Sequence, residues 1–433
     1  MKLTVFGSTG RTGRQVVEQA MARGHQVVAF TRRPAALEDC AGPASGLDWT
    51  IARLNRLTSK PTAGQARISP GLFAQPTAIT RADADRAVLD ITEDQGPGRD
   101  RGQHRGAKAE RSLMRHTRIF DAGQGYGPIT DLVTFTDASV VRRADQWWMF
   151  AGGIDKVSGE IQLLTATLPV GSPLSATGWQ ITRDPGHPHR PVILAGKDSS
   201  HPWDGRGGRH CPAYARGYDP DTGRWVERIY YAGAAQSYLG PYSIGYVEWD
   251  GTRWSDQAEP VFTADQDWEY GSVYEPNVLY HDGLWKMWYV AGANQDDYLV
   301  QGYAQSRDGS TGWSARSIFA PDEEKIFDFC VRETAQGYEA LFSRVNVAGR
   351  DDLPLTGLWW CQASTPARTL SDWSDPVRIT GPGPWKPCLQ YAEPGSEEMF
   401  VFCDDAYPNT SGHGIPVHFT IDCLETSRPA DTK

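Results

Sequence analysis

From about residue 115 onward, short runs of apolar and aromatic residues alternate with turns rich in Gly, Asp and Pro. The runs fall into repeated groups, and each group opens with an apolar run that begins at a polar, charged or Cys position. These openings lie at residues 137–141, 211–214, 275–279, 328–331 and 386–389. Repetition on a scale of about 50 residues indicates a propeller or a solenoid.

Within each group, an aromatic run follows the opening after a turn, and its apolar residues alternate as they do in strands packed between sheets. The aromatic runs lie at 147–150, 229–231, 285–289, 338–342 and 399–402. Third runs follow at 161–165, 244–248, 300–304, 358–361 and 417–421. Fourth runs open with Trp179, Trp254, Trp313 and Trp373.

The last group lacks a fourth run, and residues 117–120, upstream of the first group, can supply it. Such an exchange would close the ring and leave no open sheet edge. The pattern therefore predicts a mainly β fold, a five-bladed β-propeller with four-stranded blades, over residues 115–425, followed by a C-terminal tail at 426–433.

The N-terminal segment has a different pattern: an apolar strand at 3–6, a glycine turn, a helix at 14–23 and a second strand at 26–30. Gly7, Gly10 and Gly13 allow a tight turn that brings a pyrophosphate onto the helix N-terminus. Arg32, with Arg33 beside it, follows the second strand where a 2′-phosphate is read, which favours NADP over NAD.

Residues 1–34 resemble the opening of the NmrA-like, atypical short-chain dehydrogenases, and residues 46–53 and 78–83 resemble segments near the end of the same domain. Only residues 35–45 lie between them, where that family places several strands and helices. We therefore expect residues 1–93 to be a small incomplete α/β Rossmann-like segment that cannot enclose a dinucleotide. NADP binding there is a minor alternative, and residues 94–114, which are polar and Gly-rich, are predicted to be a linker.

Charge and cysteine content narrow the function classes. The chain has 43 Lys and Arg against 53 Asp and Glu, a net charge of −10, which argues against a nucleic acid or an anionic membrane as partner. The seven cysteines include no CxxC pair, so neither a disulfide framework nor a zinc motif is indicated. No signal peptide or membrane span is evident, so we expect a cytoplasmic protein acting on a small molecule.

The first strand of each propeller blade lines the central channel, so the five aligned openings place five side chains around one funnel. These side chains are Asp137, Cys211, Glu275, Asp328 and Lys386. Like charges held close together raise one another's pKa and add nothing to packing, so three converging carboxylates favour chemistry over stability. One ionised and one protonated carboxyl is the arrangement that cleaves glycosidic bonds.

The blade pattern also resembles the five-bladed glycoside hydrolases of family 43 and its relatives, with residues 136–141 similar to the segment that carries the general base. The resemblance implies that Asp137 is the base, that Glu275 modulates pKa values, that Asp328 is the general acid and that the anomeric configuration inverts. That family has Asp in blade three and Glu in blade four, and this chain has the reverse. The acid is therefore either Glu275 or Asp328.

Other side chains near the predicted funnel are candidates for substrate binding. Arg209 and His210 precede the second opening, Lys386 can neutralise the acidic ring or hold an anion, and Arg344 can clamp a carboxylate. Aromatic residues on the loop side suit sugar stacking, namely Trp203, Trp268 and Tyr270. His413 and His418 lie in the last blade, but no ligand cluster is evident, so we predict no metal site and no cofactor for the propeller.

The leading hypothesis is thus a glycoside-hydrolase-like enzyme that acts on a small glycoside or sugar derivative. A non-hydrolytic or ligand-binding propeller, acting on a small metabolite, is the first alternative. An NADP-dependent oxidoreductase led by the N-terminal segment is the second.

Overall fold

A computed structural model describes the propeller part of the chain at residues 114–195, 201–205, 208–236, 240–292, 300–344, 357–381, 384–404 and 420–429. Before residue 114 it describes four short strands. The chain divides into two compact units, Met1–Ala109 and Glu110–Lys433. Among the described residues, no helix has the length and apolar character needed to span a membrane.

The N-terminal unit contains two pairs of parallel strands. Lys2–Phe6 pairs with Gln26–Phe30, and Leu57–Thr58 pairs with Ile79–Thr80. The first pair confirms the two predicted strands, and a parallel pair requires a crossover connection between its members. Gly7, Gly10, Gly13, Arg32 and the predicted linker lie outside the described residues.

The second unit is the predicted propeller of five four-stranded antiparallel sheets. We number the blades in chain order and call their strands inner, second, third and outer, from the channel outward. The strands of blade one are Thr136–Arg143, Gln146–Ile154, Ile161–Pro169 and Gln180–Ile181. Those of blade two are Gly208–Asp219, Arg224–Ala234, Tyr242–Trp249 and Trp254–Asp256. Those of blade three are Val273–His281, Leu284–Ala291, Val300–Ser306 and Ser314–Ala320.

Blade four comprises Ile326–Thr334, Gly337–Arg344, Gly357–Ala363 and Val377–Arg378. Blade five comprises Trp385–Tyr391, Glu398–Asp404, Thr420–Ser427 and, from upstream of blade one, Arg115–Asp121. A separate hairpin, Arg183–Asp184 with His187–Pro191, follows blade one. Short 3-10 helices lie at Pro202–Asp204, Asp267–Glu269, Asp322–Glu324 and Leu370–Asp372.

Blade five confirms the predicted strand exchange, because Arg115–Asp121 pairs antiparallel with Thr420–Ser427. Arg118 Nε donates to the buried Asp422 Oδ1 at 3.1 Å across this pair. The predicted tail at 426–433 starts too early, since the third strand continues to Ser427 and Arg428 Nη2 lies 2.7 Å from Glu339 Oε1 of blade four.

The prediction was also wrong for the outer strand of blade four, which begins at Val377 and not at Trp373. Trp373 follows a 3-10 helix and is buried against Phe329, with ring centroids 5.3 Å apart. Pro376 has no N–H to donate, so regular pairing starts only after it. The aromatic residue here is core and not strand.

Apolar side chains fill the spaces between adjacent blades. Between blades three and four, for example, Trp288, Phe319, Phe329 and Phe342 form one buried aromatic cluster. Burying an aromatic side chain of this size stabilises a fold by a few kcal/mol, about 25 cal/mol per Å² of apolar surface. The same packing between the other blades holds the inner strands around the channel.

A β-bulge interrupts every inner strand at the same position, beside the predicted funnel residue. All five of those residues have left-handed backbone, with φ values of 59° at Asp137, 55° at Cys211, 49° at Glu275, 58° at Asp328 and 52° at Lys386. Residues with a Cβ atom adopt this conformation at a cost of about 1–2 kcal/mol each. The same strained backbone conformation occurs once in every blade, and none of the five residues is glycine. The ring that these five residues form therefore lowers the stability of the fold.

Two residues further along, the inner strands are joined by a repeated hydrogen bond between blades. The side chains of Ser139, Asn277, Cys330 and Cys388 each accept a backbone N–H from the inner strand of the following blade. Tyr214 N, for instance, donates to Ser139 Oγ at 3.1 Å. Blade two has Ala213 at the equivalent position, and alanine has no side-chain acceptor.

Ser139→Ala is expected to lower the free energy of unfolding by about 1–3 kcal/mol, because it leaves the N–H of Tyr214 without its acceptor. Chemical denaturation measures this difference. Ser139→Thr is the matched control, since it keeps the hydroxyl and should retain most of the stability. An equal loss in both variants would show that packing at residue 139 matters, and not the hydrogen bond.

Candidate functional site

One cavity lies at the centre of the propeller, and the inner strands of all five blades line it. The five left-handed residues lie around it, with the next two residues of each inner strand. The structure therefore brings Asp137, Glu275, Asp328, Lys386 and Cys211 together, as the aligned repeats predicted. Among the described residues that line the cavity, Lys386 supplies the only positive charge.

The ammonium group of Lys386 connects three members of this ring. Its Nζ atom lies 2.6 Å from Asp137 Oδ1 and 2.8 Å from Glu275 Oε1, and it donates to Cys211 Sγ at 3.5 Å. The side chain of Lys386 is 11% exposed. A nearly buried ammonium paired with two carboxylates stays protonated, and the pKa of Lys386 is raised well above its usual value by these acidic neighbours against the opposing effect of burial.

Asp137 is held ionised. Burial by itself would raise the pKa of this carboxyl, but the charge and hydrogen bond of Lys386 outweigh burial and hold the pKa below its ordinary value. The residue is 9% exposed. A buried carboxylate that keeps its charge can accept a proton from a water molecule.

Asp328 is in the opposite state. Burial, and then the negative charge of Glu275, raise the pKa of Asp328 well above its usual value. Its Oδ2 atom lies 2.8 Å from Ser343 Oγ, whose hydroxyl also lies 2.7 Å from the backbone oxygen of Phe327, while Oδ1 has no partner among the described residues. The raised pKa keeps a proton on this carboxyl, which belongs to a side chain that lines the cavity.

Two opposing effects act on the pKa of Glu275. Burial raises its pKa, and Lys386 opposes the increase. Its Oε1 atom accepts from Cys211 Sγ at 2.9 Å as well as from Lys386. An oxygen that accepts from two donors is not the one that carries a proton to a substrate.

Cys211 and the neighbouring His210 are the polar residues that blade two contributes to the site. The thiol of Cys211 is kept protonated, because burial and the charge of Glu275 raise its pKa well above the usual value. His210 Nδ1 lies 2.8 Å from Cys211 Sγ. Burial and the nearby Lys386 lower the pKa of His210 to about 4, so the imidazole is neutral at pH 7.

Asp404 is a member of the site that the sequence analysis missed. It ends the second strand of blade five, is fully buried, and accepts a short hydrogen bond from Thr136 Oγ1. The backbone N–H of Asp137 lies 3.4 Å from both of its carboxyl oxygens. Asp404 therefore fixes the strained backbone at the candidate base, and the acidic pair at the end of the last aromatic run was the signal for it.

Asp404→Asn is expected to flatten the pH dependence of stability. Burial and the charge of Asp137 raise the pKa of Asp404 well above its usual value, so the folded state keeps a proton that the unfolded state loses above about pH 4. Stability from this group is complete below that pH and is lost as pH rises. The slope between about pH 5 and 8 should become less negative in the variant by up to about 1.4 kcal/mol per pH unit.

Denaturation midpoints across that pH range measure the slope. Asp422→Asn is the control, because Asp422 is also buried but is paired with Arg118 outside the ring. A wild-type slope that Asp404→Asn leaves unchanged would contradict a protonated Asp404.

Two predicted substrate-binding arginines do not line the cavity. Arg209 is buried in blade two, where Nε lies 2.7 Å from Asp204 Oδ2 and Nη2 lies 2.7 Å from Asp256 Oδ2. Arg344 ends the second strand of blade four, pairs with Glu324 and stacks over Trp359 at 4.7 Å. Their guanidinium groups pair with Asp204, Asp256 and Glu324, and neither arginine is among the described residues that line the cavity.

The three aromatic residues that were predicted to stack on a sugar lie in different environments. Trp203 is blade-two core, because its ring stacks on Tyr231 with centroids 5.5 Å apart and occupies the space that a Cβ atom at Gly233 or Gly245 would need. Trp268 stacks on Tyr289 against the core of blade three. Tyr270 is 61% exposed at the end of the same 3-10 helix. His413 and His418 lie outside the described residues.

Comparison with known proteins agrees with both resemblances. A family model described as NAD(P)H-binding matches residues 7–44. No curated protein matches the chain. A family 117 glycoside hydrolase from the marine bacterium Zobellia galactanivorans has a similar structure, with 12% identity, a TM-score of 0.50, and coverage of 73% of this chain and 90% of that chain.

Two further solved structures are similar over much of their length. One is the catalytic domain of a family 62 α-L-arabinofuranosidase from Coprinopsis cinerea, with 14% identity, a TM-score of 0.48, and coverage of 73% of this chain and 97% of that chain. The other is an α-L-arabinofuranosidase from Podospora anserina, with 12% identity, a TM-score of 0.46, and coverage of 73% of this chain and 98% of that chain. At these identities the likeness concerns the fold.

Proposed function

We propose that the propeller is a glycoside hydrolase that cleaves a small glycoside or sugar derivative, with Asp137 as general base and Asp328 as general acid. The observation that carries the proposal is the contrast between two carboxyls on one cavity: the pKa of one is lowered and the pKa of the other is raised. Acid and base catalysis needs two groups whose environments separate their pKa values in this way.

In the proposed reaction, Asp137 takes a proton from a water molecule as the water oxygen attacks the anomeric carbon. The bond from that carbon to the leaving oxygen breaks, and Asp328 gives its proton to the leaving oxygen. The product has the opposite anomeric configuration to the substrate. The two carboxyls end in exchanged protonation states and return to their resting states through solvent.

The structure favours Asp328 over Glu275 as the acid. Glu275 Oε1 already accepts from Cys211 and Lys386, whereas Asp328 has a buried oxygen with no partner among the described residues. Glu275 is then the modulator, because its charge is the second cause of the raised pKa of Asp328. Ser343, whose hydroxyl lies 2.8 Å from the other oxygen of Asp328, orients the acid.

Hydrolysis of a panel of nitrophenyl glycosides tests the proposal, with arabinofuranosyl, xylosyl, galactosyl and mannosyl members. Proton NMR of the first product formed assigns its anomer before mutarotation. Turnover of one member with inversion supports the proposal. Turnover with retention would give one carboxyl a nucleophilic role instead, and no turnover of any member would favour the second candidate.

That second candidate is a propeller that binds a small metabolite without hydrolysing it. The contact of 2.6 Å between Lys386 and the candidate base favours it, because the ammonium covers one of the two oxygens of Asp137. Isothermal titration with the free sugars of the panel distinguishes the two. Saturable binding that survives Asp137→Asn, without turnover, would establish the binding function.

A further inference from the structure

We propose that Asp137, His210 and Cys211 form a binding site for a thiophilic divalent metal ion, zinc in particular, at the edge of the cavity. The ligands are one carboxylate oxygen, one imidazole nitrogen and one thiolate sulfur. One consequence of this site rests on the proposed function: the metal and the hydrolytic reaction compete for Asp137. The binding site itself is argued from geometry alone.

The bulge in the inner strand of blade two creates the arrangement. Neighbouring residues of a regular strand direct their side chains to opposite faces, so His210 and Cys211 would normally diverge. The left-handed backbone at Cys211, with φ at 55°, and the register shift after His210 direct both side chains to one point. Asp137 reaches the same point from blade one, whose own bulge repeats this geometry.

The distances are close to those of a tetrahedral site. Cys211 Sγ lies 2.8 Å from His210 Nδ1 and 3.7 Å from Asp137 Oδ2, and the three ligand atoms all lie within 4.8 Å of one another. Zinc bonds of about 2.0–2.3 Å at tetrahedral angles separate their ligand atoms by roughly 3.3–3.6 Å. The sulfur and the carboxylate, at 3.7 Å, are close to this separation, whereas the imidazole nitrogen lies closer to the sulfur than a shared zinc ion requires.

The ligand set selects the metal. Sulfur and imidazole nitrogen favour zinc and its thiophilic neighbours, whereas calcium and magnesium take oxygen ligands. Three protein ligands leave a fourth position open for water or another small ligand. Binding releases the thiol proton to solvent, because only the thiolate ligates zinc.

The charges around the three ligands limit the affinity of the site. Lys386 lies between Asp137 and Glu275, while Asp328 and Asp404 keep their protons and add no negative charge. Lys386 Nζ is only 3.5 Å from the sulfur, so it repels the metal and limits its affinity.

Cobalt(II) titration of the full-length, reduced protein tests the site. Cobalt bound by a thiolate gives a ligand-to-metal charge-transfer band in the near ultraviolet, and added zinc should remove the band by displacement. We expect one equivalent of cobalt to produce the band in the wild type, and Cys211→Ser to abolish it. His210→Gln should weaken cobalt binding by about 10–100-fold or more while keeping the sulfur ligand.

Cys388→Ser is the matched control. Cys388 lines the same cavity and serine can also accept from Val140 N, but the residue is outside the proposed ligand set. Retention of the band in this variant supports the site. Loss of the band in Cys388→Ser together with retention in Cys211→Ser, or the absence of a band in the wild type, overturns it.

The competition with hydrolysis has a separate readout. With one oxygen of Asp137 on Lys386 and the other on zinc, the base cannot accept a proton, so zinc should inhibit turnover with the zinc dissociation constant that the cobalt displacement gives. Cobalt binding without any glycosidase activity would leave the metal site standing and remove the proposed function. Activity that zinc saturation leaves unchanged would show that the metal does not bind Asp137.

Discussion

Lys386→Met is expected to lower the free energy of unfolding by about 3–5 kcal/mol near pH 7, the largest loss of stability from any single change at the site. The substitution keeps the length and apolar stem of the side chain and removes its charge. Asp137 and Glu275 then face each other, buried, without the ammonium that lies 2.6 Å and 2.8 Å from them. A buried charge that has lost its partner costs far more than a surface ion pair contributes.

The loss should depend on pH in a defined direction. Without Lys386, burial raises the pKa of Asp137, as it already raises that of Glu275, so both folded-state values lie above the unfolded ones. Stability from such groups is complete below about pH 4 and is lost as pH rises through their folded pKa values. The difference between variant and wild type should therefore shrink steadily as the pH falls from about 8 to 4.

Denaturation curves at a series of pH values check both statements. Lys325→Met is the matched control, because Lys325 is as buried as Lys386 but pairs with the partly exposed Asp322 at 2.6 Å outside the ring. Its cost should be smaller and nearly constant above about pH 5. A loss for Lys386→Met that stays the same at every pH would mean that packing, and not charge, explains the effect.

Asp137→Asn and Asp328→Asn are expected to lower the turnover number by about 10²–10⁴-fold each, but with different dependence on the leaving group. The acid assists departure of a poor leaving group, and a dinitrophenolate departs without a proton. Asp328→Asn should therefore recover much of its rate on a dinitrophenyl glycoside. Asp137→Asn should stay slow on every substrate, because water still needs a base.

Steady-state kinetics with two aryl glycosides of the same sugar measure this contrast. Glu323→Gln, an exposed carboxylate on a 3-10 helix outside the cavity, is the control and should have wild-type rates. If Glu275→Gln, and not Asp328→Asn, recovers on the activated substrate, then Glu275 is the acid and the proposed roles are exchanged.

The sequence predicted the fold and the membership of the ring because both depend on repetition. Once the five openings are aligned, the residue that each inner strand contributes to the ring is known, and Asp137 and Lys386 must lie near each other however far apart they are in the chain. The exchange of the first strand into blade five follows from the same count. Repetition also explains the error at Trp373, where the pattern persists but the strand begins only after Pro376.

What the repeats could not predict is the backbone of the ring. Left-handed φ values at an aspartate, a cysteine, a glutamate and a lysine oppose the intrinsic preference of these residues, so no local rule predicts them. Without that conformation, His210 would point away from Cys211. A sequence predicts structure least well at sites whose backbone opposes the intrinsic preference of their residues, and such sites are commonly functional.

The roles of large side chains outside the repeats could not be predicted from the sequence either. Trp203 lies before an inner strand, where a stacking residue is reasonable, and only Gly233 and Gly245 in the two neighbouring strands show that its ring belongs inside the blade. Arg209 was ambiguous in the same way until its carboxylate partners, Asp204 and Asp256, were located. Contacts between distant residues decide both roles.

Blade five joins the two ends of the propeller side by side, since Arg115 pairs with Glu425 in antiparallel register. A short turn between Ser427 and Arg115 would convert this blade into an ordinary meander of one continuous chain. The ring then has no inherent first blade, and a circular permutant that is opened at the turn before Leu284 should fold to the same architecture. The geometry of the funnel thus does not depend on the order in which the gene encodes the blades.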